Sequence, residues 1–138
     1  MNARRTILII DDDPDFTDAT KHLLESCGYQ VRTAPDGRQG YDLARMIAPD
    51  LILLDVMMTE RTEGFFTLER IRQTEALKRT PVIIISSIYT EHPRFTVNPD
   101  ASWLPADLFL AKPVDPARLI AEAARLISAA PQAGSVAS

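Results

Sequence analysis

Short apolar runs alternate along the chain with longer segments in which apolar residues recur at helical spacing. Residues 7–10, 51–54 and 82–85 contain only Ile, Leu and Val. Runs of this kind, without polar alternation, are typical of strands that are buried on both faces of a parallel sheet. Residues 30–33 and 108–111 give weaker signals, and we interpret them as a second and a fifth strand.

The segments between these runs predict helices with recognisable ends. Asp13 is interpreted as an N-cap with Pro14 in the first helical turn, and Asp115 followed by Pro116 repeats that signature near the end of the chain. Aspartate accepts hydrogen bonds from free backbone N–H groups, and proline is tolerated where the helix begins. Two further helices are predicted between them, from Asp36 to the residue before Pro49 and over residues 63–73.

This alternation of strands and helices predicts an α/β protein. The expected architecture is a flavodoxin-like (βα)5 fold, a doubly wound parallel sheet with strand order 2-1-3-4-5. The fourth helical region is the exception, because residues 88–106 contain Pro93, Pro99 and Pro105 and show no sustained apolar stripe. Proline interrupts helical hydrogen bonding, so we expect an irregular segment there.

Composition and charge exclude several classes of protein. Hydrophobic residues make up 46% of the chain and charged residues 25%, as in ordinary globular domains. The formal net charge of −4 argues against binding to a nucleic-acid backbone, so no direct DNA contact is expected. Arg72 and the basic residues near it are interpreted as a solvated face of the third helix. A single cysteine, Cys27, cannot form an internal disulfide.

The length of 138 residues predicts one domain, which we expect to span residues 5–128, with residues 129–138 as a flexible tail. The longest apolar runs have four residues, far fewer than a membrane span needs. Asp11 interrupts the first of them too early for a signal peptide. We therefore expect a cytoplasmic protein without membrane insertion. Because this length leaves no room for an output domain, we expect it to act through another protein.

Acidic residues follow two of the predicted strands at the point where each strand ends. Asp11 and Asp12 follow the first strand, and Asp55 interrupts an apolar stretch directly after the third. The first and third strands are neighbours in the predicted order, so these carboxylates should converge at the carboxyl edge of the sheet. Clustered carboxylates repel one another unless a cation compensates, and Mg²⁺ prefers oxygen ligands of this kind.

Two further strand ends carry groups with complementary chemistry. The hydroxyl of Ser86 ends the fourth strand and the ammonium of Lys112 ends the fifth, where the following Pro113 admits a cis peptide bond. Together with a cation and the Asp55 carboxylate, these groups suit the transfer of a phosphoryl group. Taken singly, Ser86 is equally an ordinary strand-end residue and Lys112 a solvated surface lysine.

These residues lie within motifs whose order and spacing match a known family. In chain order the motifs read ILIIDDDPDF, TAPDGRQG, PDLILLDVMM, PVIIISS and FLAKPVDPARL. With them, the sequence resembles the receiver domain of bacterial response regulators, the CheY-like phosphoacceptor of two-component signalling. The resemblance runs from Arg5 to Ser128, and with the length of the chain it implies a single-domain response regulator.

The resemblance implies a role for each candidate residue. They are Asp55 as phosphoacceptor, Asp11, Asp12, Asp55 and the Met57 backbone carbonyl as ligands of Mg²⁺ or Mn²⁺, Lys112 as the active-site lysine, and Ser86 and Phe109 as the switch pair. It further implies a domain that catalyses its own phosphorylation and dephosphorylation. The implied partners are a sensor histidine kinase or a histidine phosphotransfer protein, and a downstream protein that the sequence does not identify.

The chain departs from the family pattern in two places that bear on function. Thr59 stands where the family commonly has proline, and the proline-rich residues 91–105 stand where it has a regular helix. We expect a partner interface near Trp103, Phe95 and Tyr89, with packing of Trp103 onto the fifth strand as the alternative. Two other functions stay open at this point. One is a pseudo-receiver that binds partners without phosphorylation, and the other is a metal-dependent phosphohydrolase, for which no general acid can be assigned.

Overall fold

A computed structural model describes residues 4–55, 63–86 and 107–129 of the chain. Within these ranges, strands and helices alternate along most of the sequence. They are, in chain order, β1 (Thr6–Ile10), α1 (Pro14–Ser26), β2 (Gln30–Ala34), α2 (Gly37–Ile47), β3 (Leu51–Leu54), α3 (Glu63–Gln73), β4 (Val82–Ser86), β5 (Leu108–Ala111) and α4 (Pro116–Ala129).

The five strands form one parallel sheet in the order β2-β1-β3-β4-β5, which confirms the predicted flavodoxin-like arrangement. Ile10 at the end of β1 pairs with Ala34 of β2 on one side and with Leu54 of β3 on the other. Ser86 at the end of β4 pairs with Ala111 of β5. The register therefore brings the carboxyl ends of all five strands to one edge of the sheet.

Successive side chains of a strand point to opposite faces of the sheet, and helices cover both faces. Ile10 and its same-face neighbours belong to a core layer that includes Ala44 of α2 and Leu68 of α3. Ile9 and its neighbours on the other face belong to a layer that includes Leu24 of α1 and Ala123 of α4. Burial on both sides explains why β1, β3 and β4 lack polar alternation, whereas the edge strand β2 exposes Gln30, Arg32 and Thr33.

The predicted helix caps form as expected. Asp13 accepts hydrogen bonds at its Oδ1 from the backbone N–H groups of Asp15 and Phe16, at 3.0 and 3.4 Å. Asp36 caps α2 in the same way through the N–H of Gln39, at 2.7 Å. At the beginning of α4, Asp115 accepts from the N–H of Arg118 at 3.1 Å.

Arg72 lies in a different environment from the one predicted. Its guanidinium donates to the backbone carbonyls of Lys78 and Thr80 at 3.1 and 2.6 Å, and forms an ion pair with Asp107 at 3.1 Å. Asp107 also accepts from the backbone N–H of Val82 at 2.8 Å. The interpretation of Arg72 as part of a solvated face is therefore wrong, because its side chain connects α3 to the beginnings of β4 and β5.

Several predictions concern residues outside the described ranges. These are the irregular segment of residues 88–106, which includes Trp103, the loop with Met57 and Thr59, and most of the C-terminal tail. The backbone of Ser86 is described as part of β4, whereas its side chain is not. Within the described ranges, no helix combines the length and the apolar character that crossing a membrane would require.

Candidate functional site

The register of the sheet places Asp11 and Asp55 side by side at its carboxyl edge. Each follows one member of the Ile10–Leu54 pair. The backbone N–H of Asp55 donates to the carbonyl of Ile10 at 2.9 Å, and that of Asp11 donates to the carbonyl of Ala34 at 3.1 Å. Ladder hydrogen bonding thus continues one residue beyond the strands, so both acids are held by the sheet itself.

Three of the predicted acids converge as expected from the strand order. Carboxylate oxygens of Asp11, Asp12 and Asp55 lie within 4.8 Å of one another. Asp11 and Asp55 are buried, with 3% and 5% of their surfaces exposed, whereas Asp12 is exposed. An oxygen-only set with one side open to solvent fits a hard divalent cation such as Mg²⁺, which binds few protein carboxylates and keeps several waters.

Asp11 is hydrogen-bonded through both carboxylate oxygens. Oδ1 accepts from the backbone N–H of Asp13 at 2.9 Å, and Oδ2 accepts from Nζ of Lys112 at 2.9 Å. Burial nevertheless raises the pKa of Asp11 to about 6, and the charge of Asp55 acts in the same direction. The two hydrogen bonds therefore compensate only part of the cost of burying this charge.

Lys112 carries its ammonium into the acid cluster from the end of β5. Besides the contact with Asp11, Nζ lies 3.6 Å from Oδ2 of Asp55, and only 20% of the lysine side chain is exposed. Burial alone would lower the pKa of Lys112, but the hydrogen bond to Asp11 and the charges of Asp55 and Asp11 raise it overall. Lys112 is thus a charged residue of the site and not a solvated surface lysine. The peptide bond between Lys112 and Pro113 is cis.

The remaining predicted residues are described to different extents. The backbone of Ser86 lies at the same edge of the sheet, at the register position of Ala111, one residue before Lys112. Phe109 is buried, with 7% of its surface exposed, and belongs to the core layer that contains Ala44 of α2 and Leu68 of α3. Met57 lies outside the described ranges, so its predicted role has no structural description.

Phe16 also contacts the site, although no pattern in the sequence predicts this contact. The centroid of its ring lies 4.4 Å from Nζ of Lys112. In the sequence, Phe16 is one of several apolar residues on α1, and that periodicity indicates only a core position. Its place in the first turn after the acidic triplet is a local signal that it lies at the carboxyl edge of the sheet, but no local signal links it to Lys112.

Most of the chain is similar in sequence to known proteins. A family model described as the response regulator receiver domain matches residues 7–124. The transcriptional regulatory protein CpxR of Escherichia coli (strain K12) is 40% identical over 115 residues, which are 83% of this chain and 46% of that protein. The DNA-binding dual master transcriptional regulator RpaA of Synechocystis is 35% identical over 121 residues, 88% of this chain and 48% of that protein. The chain therefore spans about half the length of these relatives.

Solved structures share the fold over most of the chain. The receiver domain of the sensor histidine kinase PA1611 from Pseudomonas aeruginosa, which has a magnesium ion coordinated in its active site cleft, superposes with a TM-score of 0.79 at 27% identity, covering 92% of this chain and all of that one. The chemotaxis protein CheY4 of Vibrio cholerae gives a TM-score of 0.76 at 27% identity, covering 90% of this chain and 99% of that one. Both similarities extend well beyond the residues of the site.

Proposed function

This chain belongs to the response regulator receiver family of two-component signalling, and from that premise we propose that it accepts a phosphoryl group on Asp55. Receiver domains interact with histidine kinases or histidine phosphotransfer proteins, and one of these is the proposed donor. The position of Asp55 carries the proposal. Its carboxylate is buried, lies 3.6 Å from Nζ of Lys112, and is clustered with two further acids.

Asp55 is proposed to act as the nucleophile. One of its carboxylate oxygens attacks the phosphorus of a phosphohistidine on the donor. The new O–P bond forms as the P–N bond breaks, and the electron pair of that bond leaves with the imidazole. Ladder hydrogen bonding of the Asp55 backbone supports this role, because a nucleophile held by the sheet loses little conformational freedom on reaction.

Lys112 and the acidic residues are proposed to manage charge at the phosphoryl group. The Lys112 ammonium, already within reach of Asp55, would pair with a phosphoryl oxygen. Asp11, Asp12 and Asp55 fit a divalent cation, and the backbone carbonyl of Met57 is proposed as a further ligand. When Mg²⁺ or Mn²⁺ is bound, it supplies positive charge that offsets the charge on the phosphoryl oxygens.

Phosphorylation is proposed to change the surface of β4, β5 and α4. Ser86 and Phe109 are the proposed switch residues, one at the end of β4 and the other on the adjacent strand β5. A hydroxyl drawn toward the phosphoryl group would free space into which the Phe109 ring can turn. This movement would bias a two-state equilibrium toward binding of a downstream protein.

A receiver unit over residues 5–128 that acts through another protein is the proposed organisation of this chain. The net charge of −4 supports the absence of direct DNA contact by this unit. RpaA is named as a DNA-binding regulator, and this chain matches about half of its length. The description of RpaA as a DNA-binding regulator therefore applies to RpaA and does not define the output of this chain.

The proposal is tested by the intact mass of the protein after incubation with a small phosphoryl donor and Mg²⁺. Wild type should gain one phosphoryl group, and Asp55→Asn should gain none because an amide oxygen is a poor nucleophile. The matched control is Asp42→Asn, which changes an exposed acid on α2 and should behave as wild type. Chelation of the cation with EDTA should suppress the adduct in wild type.

Two results would contradict phosphoryl acceptance on Asp55. Wild-type protein that stays unmodified in the presence of Mg²⁺ contradicts phosphoryl acceptance and favours the pseudo-receiver, an interaction module that works without phosphorylation. An adduct that persists in Asp55→Asn assigns the acceptor to another residue.

A further inference from the structure

The ammonium of Lys112 lies over the face of an aromatic ring as well as beside two carboxylates. Nζ is 4.4 Å from the centroid of Phe16, 2.9 Å from Asp11 and 3.6 Å from Asp55. This is within the range of about 6 Å at which a cation is attracted by the negative face of a ring. We propose that Phe16 is a positioning residue, whose ring keeps the Lys112 ammonium in place when a divalent cation occupies the carboxylates. This inference rests on the proposed phosphoryl transfer.

Phe16 is itself held in place by the turn that presents the acids. Its backbone N–H donates to the Asp13 cap at 3.4 Å, and the N–H of Asp13 donates to Asp11 at 2.9 Å. The Phe16 side chain is partly buried and packs against the core layer beneath α1 and α4. The ring therefore has a defined position relative to Asp11, independently of the lysine.

Lys112 needs such a support because its carboxylate partners are also the proposed ligands of the divalent cation. Lysine has a long, flexible side chain whose position is set by what its ammonium contacts. Asp11, whose Oδ2 accepts from Nζ, belongs to the carboxylate cluster that fits a divalent cation. A cation on that carboxylate competes with the ammonium and repels it. The ring face of Phe16 is not a ligand for a hard cation, so its attraction for the ammonium persists when the carboxylates are occupied.

A spectroscopic experiment tests this placement without measuring phosphorylation. Protons over a ring face are shifted upfield, so the Lys112 ε-methylene resonance should lie upfield of those of other lysines in metal-free wild type. The shift should persist when Mg²⁺ is added and should disappear in Phe16→Leu. Loss of the shift in wild type on addition of Mg²⁺ would overturn the proposal, because the ring would then not hold the ammonium when it is needed.

A kinetic experiment separates the electrostatic effect of the ring from its packing. Phenylalanine analogues with increasing fluorination at position 16 keep the ring shape while they weaken its negative face. With a small phosphoryl donor and saturating Mg²⁺, the rate constant should fall stepwise along this series. Phe16→Trp should retain the wild-type rate, and Phe16→Leu should lose about fivefold, which corresponds to about 1 kcal/mol, the size of a partly exposed cation–π contact.

Tyr29→Leu is the matched control, because Tyr29 packs against the same core layer but directly precedes β2, at the opposite edge of the sheet from the acids. It should keep the wild-type rate. Equal rates across the fluorinated series would assign Phe16 to packing alone and overturn the inference. If wild type itself is not phosphorylated, the proposed function fails, and the spectroscopic experiment still decides where the ammonium lies.

Discussion

Asp11 is a carboxylate that the folded protein buries at a cost. It has 3% of its surface exposed, and burial raises its pKa from the ordinary 3.8 to about 6 even though Lys112 and the Asp13 backbone donate to it. A carboxyl group whose pKa is higher in the folded than in the unfolded protein stabilises the fold when protonated. That stabilisation is fully present below about pH 3.8 and is lost as the pH rises through about 6.

Asp11→Asn should therefore stabilise the metal-free protein at neutral pH. Removing the buried charge should raise the free energy of unfolding by about 1–2 kcal/mol at about pH 7.5, and the difference from wild type should narrow at about pH 5. Urea denaturation in EDTA at the two pH values measures both quantities. Asp42→Asn, at an exposed position of α2, should change stability by less than about 0.5 kcal/mol. A gap between wild type and Asp11→Asn that does not depend on pH would contradict this account of the site.

At the scale of secondary-structure elements, the close packing of α2 on β1 constrains the sequence. Gly40 lies inside α2, where glycine is normally unfavourable. A Cβ added there would lie 2.5–2.8 Å from three side-chain atoms of Ile10, a fully buried residue of β1. The absence of a side chain at Gly40 thus lets the helix approach the strand whose next residue is Asp11.

Gly40→Ala should destabilise the protein although alanine is the better helix former. The gain in helix propensity is about 1 kcal/mol, while overpacking against a buried strand costs about 1–3 kcal/mol, so we expect a net loss of about 1 kcal/mol. Urea denaturation measures it. In a double-mutant cycle with Ile10→Val, the double variant should lose less than the sum of the single variants, because valine makes room for the new methyl group. A higher stability of Gly40→Ala than of wild type would contradict this expectation, because it would show that Ile10 moves aside at little cost.

At the scale of the whole molecule, cation binding and folding should be linked. Asp11, Asp12 and Asp55 converge only in the folded chain, since they come from two strand ends that the sheet brings together. A ligand that binds only the folded protein raises the free energy of unfolding according to its concentration relative to its dissociation constant. Cation binding at this cluster is therefore expected to raise the stability of the whole fold.

Mg²⁺ should stabilise wild type in a manner that depends on pH. At about ten times its dissociation constant, it should add about 1.4 kcal/mol to the free energy of unfolding. This increment should shrink as the pH falls through about 6, because protonation of Asp11 removes a ligand. Thermal denaturation with and without Mg²⁺ across this range measures the effect, and Asp55→Asn should show a smaller increment at every pH. An increment that grows at lower pH would contradict the role of Asp11 as a ligand.

Much of this architecture could be predicted because its signals are local. The apolar runs that became β1, β3 and β4 lie in contiguous sequence, and the caps at Asp13 and Asp36 act on residues within the next turn. The strand order is that of the flavodoxin-like arrangement, a common order of doubly wound sheets that the connection rules for βαβ units allow. Once β1 and β3 were neighbours, the convergence of Asp11 with Asp55 followed as well.

The interactions that could not be predicted join residues far apart in the sequence. Arg72 pairs with Asp107 across 35 positions, and Lys112 bonds to Asp11 across 101 positions and also lies over the Phe16 ring. Periodicity records which face of an element is apolar, but not which side chain of another element meets it. Sequence patterns thus predict the fold, the strand order and the acids at the carboxyl edge of the sheet. The groups that hold Lys112 and Arg72 are defined by tertiary packing, because such contacts depend on how side chains from distant elements meet.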